Sequence, residues 1–285
     1  GKYDSDSPFS SLFLDKDKVG FIEVLNAIDA AKTDDKIKGI TIVNNESNLG
    51  LAQSKELRDK LEDFKKSKKF VMAYATIFSQ KEYYISSVAD AIYLNPSGEM
   101  DFKGLGTEML FYKNFQDQTG LKMENIRHGK FKSAVEPYFR TDMSDSSRLQ
   151  TQRYMSSIWS DVRSQIAADR KITTAQLNDI AENAKIQRVD DAVKFKLIDA
   201  AKYRDEVEEI ILKKSKLKDL KNIMTFEDYA SKGFKNKQLA FDSETTTANV
   251  AVIVAEGAIT VDGDEMTSEK VCKYFREVRN NDKIK

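Results

Sequence analysis

Short runs of apolar, strand-prone residues alternate with stretches of helical periodicity through the first third of the chain. Between two of these runs, Leu57, Leu61 and Phe64 recur at the spacing that places side chains on one face of a helix. Strands that alternate with helices in this way are typical of an α/β fold with a largely parallel sheet. The runs that predict strands cover residues 40–43, 70–74 and 91–94.

Helical patterns dominate the rest of the chain. A long helix is predicted to start at Ser144 or Asp145, since either side chain can cap it, and Met155, Ile158 and Ile166 fall on one face of that helix. Shorter helices are predicted at residues 80–88, 108–118, 174–183, 190–195 and 203–214. One further strand is predicted at residues 122–127.

The pattern changes again near the end of the chain. The Lys-rich residues 213–221 and the polar residues 231–248 are typical of a connector between domains. A strand pattern then returns at residues 249–254.

A repeat relates the end of the chain to its beginning. Residues 34–38 read DDKIK and residues 281–285 read NDKIK. The same offset aligns four apolar pairs on one helix face, which predicts a duplicated unit and makes Cys272 a small buried residue. The first copy is then expected to lack its opening strand, unless the two copies simply differ there, and the second copy to stop before its central strand. The pairs are Val24 with Val271, Leu25 with Cys272, Ile28 with Phe275 and Ala31 with Val278.

Composition excludes several classes of protein. The 46 Lys and Arg residues balance 46 Asp and Glu residues, so the chain lacks the basic character of a nucleic-acid binder. With Cys272 and His128 as the only Cys and His, neither an intrachain disulfide framework nor a His/Cys zinc cluster can form. A Ser-His-Asp triad would have to use His128. No apolar run reaches the roughly 18 to 20 residues of a membrane span.

The segment at residues 128–140, HGKFKSAVEPYFR, resembles a known family: signal peptide peptidase A, also called protease IV, in its long duplicated form. Similar stretches are KEYYISSVADAIYLNPSGEMDFKGLG at residues 81–106 and KFKLIDA at residues 194–200. The residues that match the family motif are Gly129, Phe131, Lys132, Ser133, Ala134, Glu136 and Pro137.

The resemblance implies two tandem copies of a crotonase-like (Clp-protease-like) α/β domain. Residues 1–143 would form the first domain, residues 144–248 a helical extension and linker, and residues 249–285 the start of the second domain. The chain would be a fragment of such a protein.

The resemblance also implies a serine peptidase with a Ser-Lys dyad, without metal or cofactor. Lys132 would be the general base, supported by Ser133, Gly129 and Glu136. The nucleophilic serine would come from a Ser-Pro-Gly-Gly-Ser loop of the second copy, which these residues lack, so this chain alone is expected to be inactive. The equivalent loop of copy one reads NESNLG, a departure that excludes Ser47 as the nucleophile.

A lysine base must satisfy a physical requirement. An amine with an ordinary pKa of about 10.4 is neutral in only about one molecule in a thousand near pH 7, so it must be desolvated or lie beside another cation. Glu136 would keep the amine protonated if it paired with Lys132, so we expect it to point elsewhere, towards Arg140. The residues that would supply an apolar neighbourhood are Phe131, Ala134, Val135, Tyr138 and Phe139.

Partners and location follow only from the resemblance. It implies apolar substrates, namely cleaved signal peptides, and a homo-oligomer, a tetramer above all. It also implies attachment to the bacterial inner membrane, with the catalytic part on the periplasmic side and the anchor outside this chain. No nucleic acid is implied. Two rivals stay open: a crotonase-type acyl-CoA enzyme and a non-catalytic scaffold domain of the same fold.

Overall fold

The computed structural model describes residues 20–44, 49–233, 250–251, 253, 257, 259–260, 266–282 and 284. These residues divide into two compact units. The larger unit is Ala31–Asn222, and the smaller consists of Gly1–Ala30 with Ile223–Lys285.

A four-stranded parallel sheet forms the centre of the larger unit. Its order is β1-β2-β3-β4, and every neighbouring pair is parallel. The parallel α/β class predicted from the sequence is therefore confirmed. The strands are β1 (Gly39–Asn44), β2 (Phe70–Phe78), β3 (Ala91–Met100) and β4 (Ala200–Ala201).

Helices connect and flank these strands. Four of the predicted helices are confirmed within two residues at each end, and the predicted start of the long helix is confirmed at Asp145. The helices that begin in this unit are α2 (Leu51–Lys65), α3 (Gln80–Ser86), α4 (Lys113–Thr119), α5 (Asp145–Arg170), α6 (Thr174–Glu182), α7 (Val189–Lys194) and α8 (Arg204–Ser215). Ser144 caps α5 as expected, because its side chain accepts a hydrogen bond from the Ser147 amide.

The middle of β2 is buried on both faces, as is typical of a strand in a parallel sheet. Residues 71–75, VMAYA, are all buried, so both faces of the strand are covered. A continuous apolar run of this kind suits a parallel strand with helices on both faces. The register between β2 and β3 shifts after Ala75, and Gly98 lies there against the Thr76 carbonyl, where a Cβ atom would be only 2.2 Å away.

Two predictions need correction. Residues 122–127 form no strand, because the Met123 amide donates to the side chain of Gln116 (2.8 Å) instead of a neighbouring strand. The helix predicted at residues 108–118 is replaced by the shorter helix α4, which starts five residues later. A 3-10 turn at Leu220–Asn222 and the helix α9 (Phe226–Gly233) follow α8, and the connector expected at residues 213–221 and 231–248 stays a prediction.

The smaller unit contains two matching helices. Helix α1 (Phe21–Thr33) begins in it, and α10 (Ser268–Arg279) starts at the position that the repeat offset assigns to Phe21. Strands β5 (Ile259–Thr260) and β6 (Met266–Thr267) pair in parallel just before α10. In the strand predicted at residues 249–254, residues 250, 251 and 253 have no regular structure, and the others lie outside the described residues.

The two helices differ in burial. Leu25 and Ile28 of α1 are buried, whereas the matching Cys272 and Phe275 of α10 are exposed. The prediction that Cys272 is buried is therefore wrong. A position on an apolar helix face leads to burial only where another surface covers that face, and none of the α10 side chains is buried in the part of the chain described. The division into residues 1–143, 144–248 and 249–285 stays a prediction.

None of the helices in the described ranges is long and apolar enough to cross a bilayer.

Candidate active site

Lys132 lies on the loop that joins α4 to α5. The loop turns sharply at Gly129, whose φ of +94° falls in the left-handed region. A side chain would have room here, since nothing lies within 4 Å of a Cβ atom built at this position. The backbone conformation favours glycine, because other residues are strained at such a φ. Gly129 therefore helps to shape the segment that carries Lys132.

Glu136 anchors the loop to the start of α5. Its side chain is fully buried, in a 3-10 turn at Glu136–Tyr138. One carboxylate oxygen accepts from the Ser144 hydroxyl (2.6 Å), and the other accepts from the Ser144 amide (3.1 Å). Arg127 forms the ion pair with this carboxylate, at 3.3 Å. The ion pair of this carboxylate is with Arg127, so the expected partner, Arg140, is wrong. The Arg140 side chain pairs with Asp142.

These contacts decide the charge of Glu136. Burial by itself would raise the pKa of the carboxyl. The hydrogen bonds from the Ser144 hydroxyl and amide, together with the Arg127 guanidinium, outweigh burial and hold the pKa below its ordinary value of 4.5. The carboxylate is therefore ionised in the folded protein at neutral pH.

We expect Glu136→Gln to change how stability depends on pH. Because the pKa is lower in the folded than in the unfolded chain, the ionised carboxylate stabilises the fold above pH 4.5, and this stabilisation is lost as the pH falls through the folded pKa. The gap in unfolding free energy between wild type and Glu136→Gln should therefore narrow below about pH 4.5. Urea titrations at several pH values measure it, and a gap that does not change with pH would contradict the expectation.

Arg127 also contacts the lysine segment itself. Its Nη1 lies 3.4 Å from the backbone carbonyl oxygen of Lys132. Its guanidinium stacks over the ring of Phe139, 4.8 Å from the ring centroid. No motif in the sequence pointed to Arg127, since its three contacts depend on how the loop folds back.

The side chain of Lys132 is exposed, as is that of His128, and Ser133 is half-buried. Of the side chains expected to form an apolar neighbourhood, Phe131 and Ala134 are exposed, and the other three are half-buried. The described residues therefore place the expected base on an open surface. Within those residues, no group of three His, Cys, Asp or Glu side chains could hold a metal ion.

Helix α4 supports the other side of the loop. The Tyr112 amide donates to the Pro137 carbonyl (2.7 Å), and the Gln116 side chain donates to the Tyr138 carbonyl (2.6 Å). The rings of Tyr112 and Tyr138 stack at a centroid distance of 5.8 Å. The segment after Lys132 is thus fixed from two directions, by α4 and by the start of α5.

An open apolar groove of about 500 Å³ lies on α5, and Phe131, the residue before Lys132, lines one part of it. It runs from Phe131 along the first turns of α5, and Phe131, Leu149 and Tyr154 each expose more than half of their surface there. The lining residues are Phe131, Leu149, Gln150, Arg153, Tyr154, Ser157 and Ile158.

The arm, defined as residues 105–131, is unusually apolar on its surface. Its exposed large apolar side chains are Leu105, Met109, Leu110, Tyr112, Phe115, Leu121, Met123, Ile126 and Phe131. Large exposed apolar patches on soluble proteins usually mark a surface that another molecule covers.

Relatives of this chain are peptidases by name. Protease 4 of Salmonella typhi is 30% identical over 92% of this chain and 43% of its own length. Protease 4 of Haemophilus influenzae is 29% identical over 94% of this chain and 45% of its own length. The chloroplastic serine protease SPPA of Arabidopsis thaliana is 24% identical over 90% of this chain and 38% of its own length. The chain therefore spans less than half the length of each of these relatives.

Residues 63–221 match peptidase family S49. The match covers more than half of the chain, and it includes three strands of the sheet, the loop of Lys132 and the groove on α5. The crotonase-like, Clp-protease-like class expected from the sequence agrees with this family and with the parallel sheet. The chain belongs to peptidase family S49.

Proposed function

We propose that the whole protein is a serine endopeptidase that uses a Ser-Lys dyad, and that this chain supplies the general base, Lys132. The observation that carries the proposal is the match to peptidase family S49, which spans the loop on which Lys132 lies. The arrangement of that loop supports it, since the buried Glu136 carboxylate pairs with Arg127 and leaves the Lys132 amine free of a carboxylate from its own motif.

In the proposed reaction the serine Oγ attacks the carbonyl carbon of the peptide bond. Neutral Lys132 takes the hydroxyl proton as the C–O bond forms, and later passes it to the leaving amine as the C–N bond breaks. Backbone N–H groups of a glycine-rich loop would stabilise the oxyanion. We propose that the serine comes from a second copy of the domain, and that this copy also buries the Lys132 amine, which is exposed here.

We propose that the substrates are apolar peptides, in particular cleaved signal peptides. The groove on α5 supports this, because three exposed apolar side chains line it and one of them, Phe131, directly precedes Lys132 in the chain. Apolar grooves with a few polar groups at their edges suit an apolar peptide better than a charged one.

We expect Leu149→Gln in the whole protein to raise KM for an apolar peptide about tenfold, with little change in kcat. The substitution removes apolar contact from the groove, and such a loss commonly costs a factor of this order. Steady-state hydrolysis of a fluorogenic peptide measures it. Leu220→Gln, a change at an exposed leucine outside the groove, is the control. An unchanged KM in Leu149→Gln would show that the peptide lies elsewhere.

We further propose that the protein is a homo-oligomer, a tetramer, attached to the bacterial inner membrane with its catalytic part on the periplasmic side. The arm supports assembly, because eight large apolar side chains lie exposed along it besides Phe131, which lines the groove, and a second subunit could cover them. The location follows from the resemblance described above.

A single experiment separates the proposed function from its two rivals. The purified whole protein is incubated with a fluorogenic apolar peptide, and its affinity for acyl-CoA is measured in parallel. Hydrolysis that depends on Lys132 supports the peptidase. Micromolar affinity for acyl-CoA without hydrolysis would favour the acyl-CoA enzyme, and the absence of both would favour the scaffold.

A further inference from the structure

Arg127 lies five residues before Lys132 and makes contacts that connect Lys132 to the core. Its guanidinium meets the Lys132 carbonyl oxygen at 3.4 Å, the Glu136 carboxylate at 3.3 Å and the ring of Phe139 at 4.8 Å. We propose that Arg127 is a positioning residue, which holds the backbone of Lys132 in a fixed place relative to the start of α5. This inference rests on the proposed role of Lys132 as the base.

The first step of the argument concerns what holds Glu136. Both of its carboxylate oxygens accept hydrogen bonds from Ser144, the residue that caps α5. Val162 and Ile166, further along the same helix, are buried in the core of the larger unit. The carboxylate is thus fixed to a rigid element, and a buried, ionised carboxylate strongly favours a cation beside it.

The second step concerns the shape of the guanidinium. An arginine side chain presents several N–H donors in a rigid plane, whereas a lysine ammonium is a point charge without a plane. In this structure Nη1 lies 3.4 Å from the Lys132 carbonyl oxygen and 3.3 Å from the Glu136 carboxylate, while the guanidinium carbon lies over the ring of Phe139. The three contacts together restrict Arg127, and through it the carbonyl of Lys132.

The third step connects the backbone to the reaction. Because the Lys132 side chain is exposed, the position of its amine depends on where its own backbone is held. A misplacement of about 1 Å in a reacting group can cost about 100-fold in rate. A residue that fixes the backbone of the base should therefore affect turnover more than substrate binding.

The test uses the whole protein and a fluorogenic apolar peptide. We expect Arg127→Ala to lower kcat by about 10- to 100-fold while KM stays within about threefold. Methylguanidinium added to the assay should restore part of the kcat of Arg127→Ala, because it can occupy the vacated space over Phe139. It should not restore Lys132→Met. A lower melting temperature is expected in either case, because the buried Glu136 loses its cation. A merely structural role for Arg127 would leave kcat per folded molecule unchanged and give no such rescue.

Arg140→Ala is the matched control. Arg140 lies on the same loop, but its side chain pairs with the exposed Asp142, so kcat should stay within about twofold of wild type. If Lys132→Met remains fully active, the proposed function fails. If Lys132→Met is inactive and Arg127→Ala keeps its full kcat, only the positioning role is overturned.

If Arg127→Ala does not fold, Arg127→Lys tests the positioning role instead. This variant keeps the positive charge beside Glu136 and loses the planar arrangement of N–H donors. A reduced kcat at an unchanged melting temperature supports the positioning role, and an unchanged kcat overturns it.

Discussion

Lys132→Met in the whole protein is expected to reduce kcat for peptide hydrolysis by about 1,000-fold or more. General base catalysis contributes roughly 100- to 10,000-fold, and without a base the serine hydroxyl stays a weak nucleophile. Methionine matches the length of the lysine stem and removes only the amine. KM should change little, because the amine acts on the serine proton and not on the peptide.

Lys130→Met is the matched control for this prediction. Lys130 is exposed on the same loop, two residues before Lys132, so both variants lose one positive charge from one segment. Because both side chains are exposed, neither variant should shift the unfolding free energy by more than about 0.5 kcal/mol. Equal activity in Lys132→Met and Lys130→Met would refute the assignment of the base.

The largest loss of stability is expected for Arg58→Met. Arg58 lies on α2 and is 2% exposed. Its guanidinium donates to the Tyr84 carbonyl (2.9 Å) and the Gln165 side chain (2.9 Å), and it pairs with Asp169. It also stacks over the ring of Tyr84, 5.1 Å from the centroid. One side chain therefore connects α2 to α3 and α5.

Removing the guanidinium leaves the Asp169 carboxylate, itself mostly buried, without this cation. Breaking one side of a buried ion pair commonly costs about 3 to 5 kcal/mol, and we expect Arg58→Met to lower the unfolding free energy of the larger unit by that amount. Urea unfolding followed by circular dichroism measures it. Arg204→Met, at an exposed pair with Glu208 on α8, should cost less than about 1 kcal/mol. Similar losses in both variants would contradict the prediction.

Three of the four strands of the sheet and most helices could be predicted because their patterns are local and long, whereas the two-residue strand β4 was not predicted. The apolar run at residues 70–74 and the capped start of α5 at Ser144 each contain their own signal. Residues 122–127 show the limit of such reasoning. Their composition is compatible with a strand, but a strand needs a neighbouring strand to pair with. Here the Met123 amide donates to the Gln116 side chain instead. Strand pairing depends on tertiary contacts that a local sequence pattern does not contain.

Only part of the candidate site could likewise be predicted from the sequence. The motif identified Lys132 and Glu136, because both lie in one continuous segment. It did not identify Arg127, which reaches Glu136 from nine residues earlier, or Ser144, which reaches it from eight residues later. Arg140 was expected as the partner of Glu136, but the 3-10 turn at Glu136–Tyr138 leaves Arg127 and Ser144 to contact the carboxylate instead.

The matching positions of α1 and α10 have a consequence for how the chain acquires its structure. Two helices with the same apolar face can compete for one hydrophobic surface when a denatured protein refolds, and such misassembly is characteristic of chains with repeated units. The Leu25 and Ile28 face of α1 is buried, whereas the equivalent face of α10 is open. Synthesis on the ribosome would lessen such competition, because α1 emerges first and can be enclosed before α10 has been translated. We therefore expect the order of translation to favour burial of the α1 face.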